Sequence, residues 1–373
     1  MIGYIWILLL IVGGGLLFPN LNTNKRNRKL YIYLVFGTIL LYVILRGENV
    51  GIDNANRYRT VRLLAEYDWN AFSEYLSTQT EEHLYTIILW LITRLIPSPH
   101  FVGVVWDVFI ILTFAFFFYC YSEDLVLSNL MYAAFVFAAE MNTTRQYIAA
   151  AIFLWVIIAV LNKRYILSFI LILISMTFHA SALVLFIVYA LIPLKYQMTK
   201  TSFTITICAA LSGFFAFDII ANMFVSYFPQ YSWYLRGAWA VGDKSFSVLW
   251  LGIYSILALL AMLCLPGRSK ALTTEAVVID EKYKIQSIVT FFFAIYATTS
   301  LLTSKVWFVS RMNVYFVFAY CMVISVIFNR LPFFTKRSVR LLRGVFIAGL
   351  FVWAIMMLRQ NAHGILPYEF FWE

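Results

Sequence analysis

The chain has 373 residues, 63% of them hydrophobic and only 12% charged, with a formal net charge of +10. Soluble domains are about a quarter charged, so this composition excludes an ordinary soluble enzyme and points to a polytopic membrane protein. With no soluble basic domain to carry it, the positive charge reports orientation in a bilayer and gives no support for nucleic-acid binding.

A spanning helix needs about 20 apolar residues, within a range of about 17 to 25. Taken in order, the candidate runs are roughly 2–18, 29–45, 101–119, 127–142, 146–161, 165–178, 180–194, 202–217, 247–265, 285–303, 308–328 and 344–358. The first positive side chain is Lys25, after the first run. That predicts an uncleaved first helix inserted with its N-terminus outside. Segment 83–96 is shorter: Glu81 and Glu82 precede it, His83 opens it, Arg94 lies within it, and Pro97 and Pro99 follow. Cys120, Cys208, Cys264 and Cys321 all sit in or beside apolar runs with no metal-ligand spacing, so neither a disulfide framework nor a zinc site is indicated.

Loop charge decides how the short segment behaves. If it crosses, then Lys163-Arg164, Lys195, Lys200, Arg268, Lys270, Lys282, Lys284 and the Arg330–Arg343 cluster all face outside. If it lies at the outer interface or re-enters, they all fall inside together with Lys25, Arg26, Arg28 and Lys29. The second arrangement satisfies the positive-inside rule at nearly every loop, leaving Glu123 and Asp124 as one acidic inner loop. The expected fold is therefore an all-α polytopic membrane protein. It has about 12 transmembrane helices, one re-entrant or amphipathic outer helix, and both termini outside. Without an internal repeat or low-complexity linker, residues 1–373 read as a single transmembrane domain, with outer loops 46–82 and 218–246.

Given this orientation, the arginines that break the rule become informative. The stretch Arg46–Arg62 carries Arg46, Arg57, Arg59 and Arg62 beside Glu48 and Asp53, directly after an apolar run. Arg145-Gln146 opens another run, and Arg311 opens a third with Tyr315 one turn on, on the same helical face. A solvated loop with snorkelling side chains is the bland alternative. An arginine held near hydrocarbon costs roughly 2.5–3.5 kcal/mol on insertion scales, however, and repeating that on one side suggests an anionic ligand there. The guanidinium fork suits phosphate, and a helix N-terminus adds backbone donors. The outer carboxylates show no spacing that demands a metal, so a metal-independent site with no cofactor is expected. His179, at an outer turn, either caps a helix hairpin or serves as a general base. Asp53 competes for the second role, but its low ordinary pKa of about 3.9 among arginines makes it the weaker base. The sequon Asn142-Thr143-Thr144 abuts a helix start and is discounted.

The ordered set Arg46…Val50-Gly51-Ile52-Asp53…Tyr58, Glu82…Tyr85, Arg145-Gln146…Ala149, Phe178-His179-Ala180-Ser181-Ala182 and Arg311…Tyr315 resembles the EpsG family of bacterial exopolysaccharide polymerases, a Wzy-like group. The resemblance spans most of the chain. Ile52 stands where the family commonly has Thr, and His83 where Pro is common. The resemblance implies an enzyme of exopolysaccharide or capsule synthesis in the bacterial cytoplasmic membrane, its active site facing outside. Such an enzyme joins undecaprenyl-diphosphate-linked oligosaccharide repeat units, which serve as both donor and acceptor. Its implied architecture is similar to the metal-independent helical (GT-C-like) glycosyltransferases, with a lipid-open groove for the polyprenyl chain. By the same likeness His179 or Asp53 deprotonates the acceptor. Arg46, Arg57, Tyr58, Glu82, Arg145, Gln146, Arg311 and Tyr315 bind the diphosphate and sugars. Partners would be membrane lipid, and a chain-length regulator and flippase of the same pathway. The rival reading is a lipid-linked oligosaccharide flippase or polysaccharide exporter. Transporters tend to place charge at the midplane and to show internal repeats, whereas the polar groups here gather at one face.

Overall fold

The computed structural model describes residues 1–78, 83–192, 194, 198–227, 232, 248–265, 281–303, 309–330 and 335–373. Among the described residues it is all-helical, with 83% of them in helices and no strands. Where the sequence offers no linker, the chain packs as two compact units, residues 1–186 with 341–373, and residues 187–340.

The first unit holds α1 (Ile2–Leu17), α2 (Lys25–Ile44), α3 (Asn54–Glu66), α4 (Trp69–Thr78), α5 (His83–Leu95), α6 (Pro99–Tyr121), α7 (Leu125–Phe135), α8 (Phe137–Glu140), α9 (Thr144–Leu161) and α10 (Tyr165–Phe178). A 3-10 helix, Ala180–Leu191, leads out of it. The second unit contains α11 (Lys200–Tyr227), α12 (Val248–Leu263), α13 (Glu281–Leu302) and α14 (Ser310–Arg330), and α15 (Lys336–Gln360) returns to the first. Among the described residues six helices are long and apolar enough to cross a membrane: α2, α6, α9, residues 284–302 of α13, α14 and α15. The remaining apolar helices are shorter, at 10–17 residues, apart from a bent pair within α11. The architecture is that of a polytopic membrane protein.

Local chemistry sets several boundaries. Asn24 caps α2, its Oδ1 accepting from the Arg26 and Asn27 amides at 3.0 and 3.2 Å, so the helix begins at Lys25 and not at 29. Pro99 sits in the first turn of α6, where its missing N–H costs no helix bond. The expected run 127–142 is two pieces, broken at Val136, and the break brings the Glu140 carboxyl onto the Tyr132 hydroxyl. The expected helix 180–194 is wound as 3-10, whose rise of about 2.0 Å per residue lets 12 residues reach about 24 Å.

Helix direction follows from side-chain bonds. Near the start of α2, Arg28 donates from Nη2 to the Phe118 and Ser122 carbonyls at the far end of α6, at 2.9 and 2.8 Å. Just past the end of α2, Arg46 reaches Asp107 in the third turn of α6. The two helices are therefore antiparallel, and residues 45–98 leave and return at the same end of the unit. Segment 83–96, expected at the outer interface, forms α5 at that end of the unit. Residues 46–82 are less of a loop than expected, because α3 and α4 form within them. Arg94 of α5 donates to the Leu64 and Ala65 carbonyls at the end of α3, and Trp90 stacks on Phe72 of α4 with centroids 4.5 Å apart.

The same logic sorts the rest of the first unit. The α6 and α9 helices run parallel, since Thr144 lies by Arg57 and Asp107 while Trp155 stacks on Phe116. Ser175 of α10 donates to the Ala149 carbonyl, so α10 runs back. Arg343 of α15 pairs with Asp124, whose carboxylate also caps α7. One end of the unit thus gathers Lys25, Arg26, Arg28, Asp124, Lys163, Arg164 and Arg343. The other gathers Arg46, α3 to α5, Asn142, Arg145, His179 and the C-terminal segment.

The second unit is built on the α13–α14 pair, where Phe292 stacks on Phe316 at 5.6 Å and Tyr296 on Tyr320 at 4.8 Å. An apolar cavity of about 290 Å³ lies among α11, α12 and α13, lined by Phe203, Leu211, Tyr254, Met262 and Leu301 among others.

Candidate functional site

The site end of the first unit is organised by residues 46–53, and these are held by the last residues of the chain. The Gly47 amide donates to the Glu369 carbonyl at 2.8 Å, Phe371 N–H to Leu45 at 3.0 Å, Gly51 N–H to Gly364 at 2.8 Å and Ile52 N–H to His363 at 3.2 Å. Gly51 has φ +104°, and a Cβ there would stand 3.0 Å from Asn142 Oδ1, so a side chain is excluded on two counts. Asn142 bridges the two segments, donating from Nδ2 to the His363 carbonyl at 2.9 Å. Asn142 is buried. Asn54 Nδ2 ties the loop to itself through the Gly47 and Glu48 carbonyls, at 2.9 and 3.1 Å.

Arg46 projects inward from this frame and is 1% exposed. Its Nη2 lies 3.1 and 3.0 Å from the two Asp107 oxygens, and its Nη1 donates to the Met141 carbonyl at 3.0 Å. Burial lowers its pKa while the Asp107 carboxylate opposes that shift. Arg57 of α3 arrives at the same carboxylate from the other side, but less closely. Its Nη1 is 3.6 Å from Asp107 Oδ1 and 3.5 Å from Thr144 Oγ1, and its buried Nε has no partner. Tyr58, one residue on, shares a hydrogen bond of 3.0 Å with His100 Nδ1, and Phe371 stacks on the His100 ring at 4.0 Å. Burial pushes the Tyr58 phenol up, so it stays a neutral donor or acceptor. Arg62 is spent on an exposed pair with Glu48.

Arg145 lies exposed in the first turn of α9, its Cζ 5.8 Å from the centroid of the Tyr85 ring. Tyr85 comes from α5 and packs with Trp106 at 5.9 Å and Phe178 at 6.3 Å. His179 follows Phe178, caps the C-terminus of α10, and holds Ser181 Oγ at 2.7 Å through Nδ1. Gln146 is buried beside Arg145. Asp53 is exposed at the N-cap of α3 and makes no capping bond with its side chain. Arg311 and Tyr315 belong to the second unit, in the first two turns of α14, with Tyr315 1% exposed. Glu82, and most of loop 218–246, lie outside the described residues.

The structure therefore brings Arg46, Arg57, Tyr58, Arg145, Gln146 and His179 to one end of one unit, with Asp53 at its rim. Sequence reasoning missed Asp107, to which both arginines turn. A signal existed: an acid inside the apolar run 101–119 is a functional candidate by default. It also missed the C-terminal segment, which has no motif and is legible only through its backbone bonds. Among the described residues no group of three His, Cys, Asp or Glu side chains stands ready to hold a metal.

Helices of spanning length, with arginines and aromatics collected at one end, define a multi-pass membrane protein carrying a polar site at the edge of its apolar body. The EpsG family matches residues 29–370, and the chain belongs to that family. It is accordingly an exopolysaccharide-associated membrane protein. Neither a curated protein nor a solved structure matches it.

Proposed function

We propose that this protein is a Wzy-like glycosyltransferase that joins polyprenyl-diphosphate-linked oligosaccharide units without a metal, on the outer face of the cytoplasmic membrane. The observation that carries this reading is the gathering of Arg57, Arg145, Tyr85 and His179 at the end of the unit opposite the basic loops. By the positive-inside rule that end faces outward, where lipid-linked repeat units are joined.

The reaction needs three things from the chain. The acceptor hydroxyl must lose a proton, and His179 is suited to take it. The 2.7 Å bond between Nδ1 and Ser181 Oγ orients the ring, and in the tautomer in which Nδ1 donates to the serine, Nε2 is the basic nitrogen. The acceptor oxygen then bonds to the anomeric carbon of the donor while the bond from that carbon to the diphosphate oxygen breaks. The lipid diphosphate leaves with the electron pair. Charge growing on it requires cations that were in place beforehand, the work of Arg57 and Arg145, with the α9 N-terminus adding backbone donors. Arg46, its terminal nitrogens committed to Asp107 and Met141, acts behind them and not on the substrate. Tyr58 and Tyr85 offer hydroxyl and ring contacts of the kind sugars use. The site proposed here is built from the first unit alone.

The decisive experiment supplies purified protein with an undecaprenyl-diphosphate-linked repeat unit and no other component. A ladder of glycan products establishes the transferase. Vectorial movement of the lipid in vesicles, with no ladder, would replace it with a flippase.

A further inference from the structure

We infer that Asp107 and Gly103 are positioning residues that hold the Arg57 guanidinium at a fixed place and leave its charge unspent for the lipid diphosphate. The inference rests on the proposed site but concerns residues outside the motifs read from the sequence.

Gly103 and Asp107 are four residues apart on α6 and therefore lie on one face, a turn from each other. Arg57 crosses that face. A Cβ built on Gly103 would lie 2.5 Å from Arg57 Nη2, 2.7 Å from Cζ and 3.2 Å from Nε. The guanidinium plane thus rests directly on bare helix backbone, in a slot that any side chain would fill. Asp107 provides the end stop. Both its oxygens are taken at 3.0–3.1 Å by Arg46, so Arg57 stands 3.6 Å away, outside good hydrogen-bond distance. Two guanidinium groups share the one Asp107 carboxylate, which balances only one of their two charges. That surplus falls on Arg57, which makes the looser contact of the two, 3.6 Å against 3.0 Å, with a side chain 9% exposed. Arg46 spends both terminal nitrogens at 3.0–3.1 Å on Asp107 and the Met141 carbonyl, whereas Arg57 reaches only 3.6 Å from Asp107 and 3.5 Å from Thr144. Here the donors are held short of full pairing beside Thr144, at the start of the helix that carries Arg145. An anion arriving there completes the set.

The test measures the Kd for undecaprenyl diphosphate in detergent for wild type, Gly103→Ala, Arg57→Ala and the double variant, alongside turnover of the lipid-linked repeat unit. Asp107→Asn alone is ambiguous, since it strands the buried Arg46 and endangers folding. Gly103→Ala adds one methyl group and leaves the Arg46–Asp107 pair untouched. We expect it to weaken binding about tenfold, the loss of one charge-assisted hydrogen bond. In the Arg57→Ala background, where the slot is empty, the same methyl should have no effect. An unchanged Kd for Gly103→Ala, or an equal loss with and without Arg57, overturns the inference. If the binding pattern holds while wild type forms no product, the transferase reading fails and the positioning role stands.

Discussion

The two ends of the first unit both carry buried or half-buried arginines, and they use them differently. At the basic end, Arg28 gives its Nε and Nη2 to three carbonyls at the C-terminus of α6, where the helix dipole also favours a cation. Arg343 grips Asp124 with two bonds, and Asp124 caps α7 with the same carboxylate. These bonds join helices, spending the guanidinium donors on structure within the unit. At the opposite end two arginines compete for Asp107, and the one nearer the helix-9 N-terminus is left short of partners. The contrast separates arginines that hold the unit together from one kept ready for a ligand, though all arise from the same residue type beside hydrocarbon.

The largest effect that would sharpen this contrast is at His179. Its replacement by Gln should keep lipid-diphosphate binding and lower turnover by about 10²–10⁴, the usual worth of a general base. The acidic limb of the wild-type kcat profile should follow a histidine ionisation and vanish in the variant. Near-normal turnover would return His179 to capping α10 and leave Asp53 as base.

A smaller and opposite outcome is expected at the basic end. Arg343→Met should lower stability by about 1–3 kcal/mol, because Asp124 keeps its capping bonds but loses its charge partner. The KM for the lipid-linked unit should not move. Thermal unfolding and steady-state kinetics on one preparation read both quantities, and a KM shift as large as that of a site variant would dissolve the distinction between the ends.

The smallest effect concerns the C-terminal segment. Burial holds the His363 pKa below the ordinary value of 6.5, so the folded chain favours the neutral ring, with Asn142 Nδ2 at 3.3 Å from Nδ1. The unfolded chain then binds more protons, so stability is intact above about pH 6.5 and declines as pH falls through the lowered folded value. Unfolding temperatures measured between pH 8 and 5 should fall less steeply for His363→Gln. Identical slopes would show that this histidine does not couple the segment to pH.

What the sequence determined by itself was the solvent. Long apolar runs can only be membrane helices, because backbone groups in lipid must bond within their own segment. The loop charges sorted those runs before any contact was known, and in the first unit the basic loops do lie at one end. The ordered motifs also marked most residues of the candidate site, since arginine near hydrocarbon is costly enough to stand out. Only the tertiary structure decided which arginine is consumed and which is spared. That depends on a carboxylate 61 residues from Arg46 in the chain and on the absence of a side chain at Gly103. Distances of a few tenths of an ångström separate a hydrogen bond from a loose ion pair, and no spacing along the chain encodes them. The C-terminal segment was likewise invisible, because its hold on residues 46–53 is made by backbone amides and carbonyls, which every residue but proline carries alike.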